Sequence, residues 1–401
     1  MNPTVPKAVD RYLGRLACAL LGTGRSLRGM FAAPPDVVEA RTLLLVKFWG
    51  LGNVALLLPV LRLLRLRFPD ARIVFVSLAT NQELLDACPD VDERIYVRDA
   101  GWLALAVSYA SAVVQARRVR PDLCIDFEQF ARASVLLATL AGARQVVGLA
   151  TPGHDRSALQ HKTVPYDDGQ HMGQTYLDLA RAAGVRERRY RPLAPEISGS
   201  WKAEAETLAA RLPERPGPLI VMHPGSGDNF PGRRWPAASF AALADRLVEE
   251  FQARVVVTGT RAEATLTAQV VGATRREAGV VDAAGCLGVG GLVALLARAD
   301  VLVTNDTAPV HLGSALGLPV FAFFGPNTPA LYGPLSEGSH AFYRDTPCSP
   351  CLTNLNYKTS LCRMPVCVWD IAVEEVVARL RAHLARAGRA AGGPGRMART
   401  G

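Results

Sequence analysis

The chain has 401 residues, 49% hydrophobic and 20% charged, which is long enough for two or three domains with separate cores. Lysine and arginine number 45 against 36 acidic residues, and this net charge of +9 favours an anionic partner: nucleic acid, a phosphate-bearing small molecule or an acidic membrane surface. The basic residues form no block and aromatics are only 7%, which sets nucleic acid aside, and no apolar run reaches the ~18 residues of a membrane span.

Residues 7–21, "KAVDRYLGRLACALL", put Val9, Tyr12, Leu13, Leu16 and Leu20 on one helical face and Lys7, Arg11 and Arg15 on the other. A basic amphipathic helix of this kind suits an anionic bilayer or the protein's own surface. Arg11 and Arg15 break any signal-peptide core, so a cytoplasmic protein is expected, with its eight cysteines reduced. "AAPPDVVEA" reads as a linker that closes a 1–40 segment.

From Thr42 strands alternate with helices. "TLLLVKF" is a buried strand, "VALLLPVLRLLRLRF" a helix interrupted early by Pro59, "RIVFVSL" a strand, "NQELLDACP" a short helix and "RIYVRD" a strand. A helix around "LALAVSYASAVVQARRV", the strand "LCIDF", the helix "ASVLLATLAGA" and the strand "QVVGLA" follow. Short β-branched strands separated by helices imply parallel βαβ units, here one doubly wound domain over 41–195. A Pro/Gly-rich connection around one helix, 196–217, leads to a second series over 218–372 that opens with "LIVMHPGSG" and includes "RVVVTGT", "VLVTND" and "PVFAFFG". "AVEEVVARLRAHLARA" gives a closing helix over 373–388, and 389–401 has the composition of a disordered tail. Two doubly wound domains in tandem bring their strand C-termini to a shared cleft.

Three stretches carry polar groups at strand ends. "GLGN" follows the first strand without the G-x-G-x-x-G spacing or the distant acid of a dinucleotide site. Gly50 and Gly52 instead permit a tight turn and close approach of a ligand, and Asn53 is expected as the N-cap of the helix that follows. "HPGSGDNFPGRRWP" is a glycine-rich loop with Ser226 and two arginines, suited to a diphosphate. "TNDTAPVHLGSALGLPVFAFFGPNTPALYGP" places Asn305, Asp306, Thr307 and His311 at a strand end and helix start, with Thr328 after the next strand.

At these residues the chain resembles glycosyltransferase family 9, the ADP-heptose:lipopolysaccharide heptosyltransferases of Gram-negative bacteria. The likeness runs from about 42 to 372 through "LLLVKFWGLGNVALLLPVLRLLRLRFPDARI", "HPGSG" with "RRWP", "TNDTAPVHLGSALGLPVFAFFGP" and "CSPC" with a later "C....C". The resemblance implies a GT-B fold, with an acceptor domain followed by a nucleotide-sugar domain, and inverting transfer that needs no metal. It implies that Asp306 binds the transferred sugar, that Thr307, Ala308 and His311 present a helix N-terminus to the diphosphate, and that Arg233 replaces the family's phosphate-binding lysine. It also implies that Glu263 meets the ribose. The partners expected on this basis are a nucleotide-diphosphate sugar and a lipid-linked or lipopolysaccharide-type glycan at the inner membrane face, which the N-terminal helix would reach peripherally.

The family carries an aspartate, its presumed base, where this chain has Asn53, and an amide accepts no proton at neutral pH. Asp126 and Glu128, in "LCIDFEQFAR", are the alternative bases because they end a strand of the same sheet. A non-enzymatic nucleotide-sugar-binding protein is the competing expectation, whereas a GT-B epimerase fits "TNDTAPVHL" less well. Cys348, Cys351, Cys362 and Cys367 have the spacing C-x2-C-x10-C-x4-C, which can close a structural zinc site or leave reduced or partly paired thiols.

Overall fold

A computed structural model describes residues 10, 14–21, 39–227, 230–356 and 358–391. Lys7, Val9, Arg11, Tyr12 and Leu13 of the expected amphipathic helix lie outside these residues, as do 32–38 of the linker and 392–401 of the tail.

The first domain is a six-stranded sheet of β1 (Thr42–Val46), β2 (Arg72–Leu78), β3 (Glu93–Val97), β4 (Leu123–Asp126), β5 (Gln145–Ala150) and β6 (Lys162–Pro165). Its order is β3-β2-β1-β4-β5-β6 and every pairing is parallel. Its helices are α1 (Leu51–Arg67), α2 (Gln82–Asp86), α3 (Trp102–Val119), α4 (Arg132–Leu140) and α5 (Met172–Ala182). The apolar runs of β1, β2 and β4 are buried on both faces, as a parallel sheet covered by helices requires.

After α6 (Gly199–Ala209) the second domain repeats the plan with β7 (Leu219–His223), β8 (Arg254–Val257), β9 (Val280–Asp282), β10 (Val301–Asn305), β11 (Val320–Phe323) and β12 (His340–Phe342). The order is β12-β11-β10-β7-β8-β9, all parallel. Relative to its own first strand, this is the order of the first domain. The helices are α7 (Ala237–Phe251), α8 (Ala264–Gly272), α9 (Val289–Arg298), α10 (Ala308–Ala315), α11 (Pro329–Tyr332), α12 (Val366–Trp369) and α13 (Val373–Ala391). In each sheet the strand order reverses between its first and fourth strands, β1 and β4 or β7 and β10, where such folds open a crevice.

The elements depart from expectation at four places. Pro59 sits inside an unbroken α1, because burial of the run from Val54 to Leu61 compensates for the one backbone bond that proline forgoes. Asn53 is not the N-cap: Gly50, at φ 94°, makes the turn, and Asn53 lies in the first turn of α1. The sequence shows no clear pattern for β6, α5, β12 and the four-residue helices α11 and α12; β6 is a largely exposed four-residue edge and β12 is only three residues long. α13 continues to Ala391, beyond the expected boundary at 388.

Candidate functional site: a cleft between the two crevices

A cavity of about 600 Å³ lies between the domains, lined from the first by Lys47, Gly50, Gly52, Asn53 and Glu128 and from the second by Ser226, Arg233, Asp306, Thr307, Ala308 and His311. Helices α1 and α10 start side by side there. A Cβ on Gly52 would stand 2.7 Å from His311 Cδ2 and 3.1 Å from the Ala308 Cα, so the absence of a side chain lets the two helix N-termini meet.

The wall from the second domain is built on the end of β10. Asn305 joins it to the glycine-rich loop, accepting from Trp235 N–H at 2.9 Å and donating to the Pro224 carbonyl at 2.7 Å. Asp306 follows, its carboxylate 3.6 Å from Arg233 Nη1 and accepting from Asn327 Nδ2 at 2.9 Å. Arg233 also donates to the Ser226 carbonyl at 2.6 Å, and this fixes the guanidinium at the cavity edge. Two buried atoms here make no hydrogen bond with the described residues, Arg233 Nε and Asn327 Oδ1. A donor and an acceptor left open on either side of a carboxylate suit a ligand that carries both phosphate oxygens and hydroxyls. Burial, with help from His171 and Lys358, pushes His311 down to about 3, so its ring is neutral in the cleft.

The opposite wall is a directed hydrogen-bond chain. Lys47 Nζ donates to Glu128 Oε2 at 2.8 Å and to Gln129 Oε1 at 3.0 Å. Gln129 Nε2 donates to Tyr176 Oη at 2.6 Å, and Tyr176 Oη donates to Asn53 Oδ1 at 3.0 Å. Asn53 therefore stands at the end of a donor chain, where an aspartate would accept the same bond.

The two alternative bases are differently placed. Glu128 lines the cavity, but Oε1 accepts from the Phe48 and Trp49 N–H groups at 2.7 and 3.0 Å while Oε2 is held by Lys47, so both carboxylate oxygens already have donors. The carboxylate of Asp126 is fully buried and bonded by Arg156, Ser134 and the Glu128 N–H, and it is not among the cavity's lining groups. Burial raises its pKa against the pull of Arg156, and its geometry gives it the work of fixing the loop after β4.

Two further candidates stand back from the cavity. Glu263 closes a capping box with Thr260 and accepts from Gly227 N–H at 3.2 Å, so its carboxylate supports the glycine-rich loop from beneath. Thr328 caps α11, accepting from Ala330 N–H at 3.2 Å, while its neighbour Asn327 faces the cavity. Cys348, Cys351, Cys362 and Cys367 are all free thiols, and burial followed by the neighbouring three thiols raises Cys367 to about 11. Although the four are neighbours, no group of three or more metal-ligating side chains among the described residues is arranged to hold an ion.

Lys47, Gln129, Tyr176, Asn327, Tyr332 and Lys358 belong to the cleft and were not anticipated. Asn327 had a signal, since it directly precedes Thr328 in the same loop. Tyr176 lies on α5, a helix the sequence reading did not resolve, and Lys358 was hidden among the cysteines.

Two doubly wound domains facing a cleft give the GT-B architecture found among glycosyltransferases. The model of "Glycosyltransferase family 9 (heptosyltransferase)" matches residues 114–361, more than half of the chain, and the chain belongs to that family. Lipopolysaccharide heptosyltransferase 2 of Escherichia coli K12 is 26% identical over 295 residues, covering 71% of this chain and 83% of that protein. Among solved structures, a family 9 glycosyl transferase from Veillonella parvula superposes with a TM-score of 0.71 at 23% identity, covering 88% of this chain and all of that one. The E. coli ADP-heptose lps heptosyltransferase II superposes at 0.68 and 22% identity, over 87% and 99% of the two chains.

Proposed function

We propose that this enzyme transfers a heptosyl group from a nucleotide-diphosphate heptose to a lipopolysaccharide-type glycan, with inversion and without a catalytic metal. The observation that carries the reading is Asp306, held between Arg233 and Asn327 at the end of β10 and facing Asn53 across the cleft. In this reading Asp306 and Asn327 take the sugar hydroxyls, while Arg233 and the α10 N-terminus at Thr307, Ala308 and His311 take the diphosphate. The bond from the anomeric carbon to the diphosphate oxygen breaks, and the acceptor oxygen bonds to the opposite face of that carbon. Its proton passes to water, since Asn53 accepts none, and the cations hold the charge of the departing diphosphate. Asn53 orients the acceptor hydroxyl through its amide.

Support for an inner-membrane position comes from the exposed leucines 16 and 20 and from Leu103 and Val107 on α3, with Arg15 and Arg117 alongside. Cys18 and Ala112 of α3 share one core cluster, which sets these two apolar faces on the same side of the first domain.

A second reading, a nucleotide-sugar-binding protein with weakened catalysis, is favoured by the three donors that occupy Glu128. Transfer from ADP-heptose to extracted core glycan separates the two readings when measured in wild type, Asn53→Asp and Glu128→Gln. The expected result is slow transfer by wild type, raised on the order of 100-fold in Asn53→Asp as a general base is restored. Tight donor binding with no transfer by either wild type or Asn53→Asp would establish the binding protein instead. Loss of transfer in a folded Glu128→Gln, with no gain in Asn53→Asp, would make Glu128 the base.

A further inference from the structure

We propose that Lys358 is a second cation for the departing diphosphate, carried into the cleft by the cysteine-bearing loop 348–362 and acting beside Arg233. This rests on the donor reading above.

The loop is tied to the cleft floor where it begins. Ser349 Oγ donates to the Gly325 carbonyl and Leu352 N–H to the Pro326 carbonyl at 2.6 Å, immediately before Asn327. Asn354 then bridges the domains, its Nδ2 donating to Tyr166 Oη of the first at 2.6 Å and to Tyr332 Oη of the second at 3.4 Å. Lys358 follows. Its Nζ donates to Tyr332 Oη at 3.1 Å, lies 4.2 Å from the centre of that ring, and lines the same cavity as Arg233, Asp306 and Asn327.

An ammonium has three N–H donors, and the phenol accounts for one. Among the described residues no carboxylate stands within ion-pair distance of Nζ. The charged and titratable groups around it are Asp306 and Arg233 from the second domain, Glu128 and Lys47 from the first, His311 on α10 and Tyr332 on α11. Both carboxylates are already engaged, Asp306 by Arg233 and Asn327 and Glu128 by Lys47 and two backbone N–H groups. Among the described residues the ammonium is left with no anionic partner of its own. Burial is the main cause that pushes its pKa down to about 8; Asp306 opposes this and Arg233 adds to it. An anion arriving between Arg233 and Lys358 would satisfy the open N–H groups and draw the lysine back to its protonated form. As the anomeric bond breaks, charge grows on the diphosphate oxygen, and the protonated Lys358 donates to it without giving up its proton.

The test is calorimetric titration of inorganic pyrophosphate into the full-length protein at pH 8, in two buffers of different ionisation enthalpy, with Lys358→Met and Lys358→Arg in parallel. Because a group with a pKa of about 8 is half protonated at pH 8, wild type should take up about half a proton more per bound anion than Lys358→Met. Lys358→Met should also bind on the order of tenfold more weakly. Lys358→Arg, always charged, should keep most of the affinity and lose the extra proton uptake, a pattern that a merely structural lysine would not give. Should Lys358→Met fail to fold, Lys358→Arg decides alone: retained affinity with lost uptake supports the proposal, and undiminished uptake overturns it. Wild-type affinity and uptake in Lys358→Met would overturn it while leaving the donor reading intact. Failure of wild type to bind either pyrophosphate or ADP would overturn the donor reading and this proposal with it.

Discussion

At the scale of single residues, His311 shows how burial sets charge in the cleft. It is only 7% exposed, and its folded-state pKa of about 3 lies well below the ordinary value near 6.5. The unfolded chain therefore binds a proton that the folded chain refuses. The contribution of the neutral ring is complete above pH 6.5 and is lost as pH falls toward 3, at up to about 1.4 kcal/mol per pH unit. Urea unfolding of His311→Gln between pH 6.5 and 4 should show a pH slope shallower than wild type by about one proton, and parallel slopes would refute this. The sequence exposed His311, Asp306 and Arg233 because each follows a strand inside a polar motif. It hid Lys47 and Tyr176, since a lysine ending an apolar run and a tyrosine in an amphipathic helix both look like ordinary packing. Only the register of β1 against β4, with Val46 opposite Asp126, brings Lys47 to Glu128.

Among elements, strand identities were legible wherever a buried β-branched run had a helix on each side, and at the edge strand β3, but not at the edge strands β6 and β12. β6 and β12 are short and partly exposed, so no core imprints a pattern on them. The N-terminal helix is an intermediate case. Gly14 and Cys18 turn toward the first domain, Asp10 accepts from the Arg132 and Ala133 N–H groups at the start of α4, and Leu16 and Leu20 face outward at 59% and 66% exposure. The same helix thus packs on the protein, as one of the two sequence expectations has it, and presents leucines to the outside. Leu103, at 79% exposure, continues the apolar surface on α3. Replacing Leu16, Leu20 and Leu103 together with serine should weaken sedimentation with phosphatidylglycerol vesicles at least about tenfold and leave the thermal midpoint nearly unchanged. Equal sedimentation of the two proteins would remove this surface as a membrane contact.

For the whole molecule, the decisive contacts are those that join the domains. Glu83 on α2 of the first domain accepts from the Val289 and Gly290 N–H groups at 2.8 and 2.7 Å, capping α9 of the second. His171 at the start of α5 pairs with the Gly333 carbonyl at 3.1 Å. Loss of the cap in Glu83→Ala should cost about 1 kcal/mol of the closed arrangement. Stopped-flow measurement should then find pyrophosphate leaving roughly fivefold faster, and an unchanged off-rate would show that the cap plays no part in closure. Two motif-bearing domains were readable from the chain, but their mutual seating was not, because it depends on contacts such as Glu83 to Gly290 that join residues far apart in sequence. The close approach permitted by Gly52 has a mechanical consequence. Two helix starts, each worth roughly half a positive charge, converge on one small volume in this arrangement of the domains. Any separation of the domains would dilute that field, so the hold on an anion in the cleft is coupled to how closely the two domains are seated.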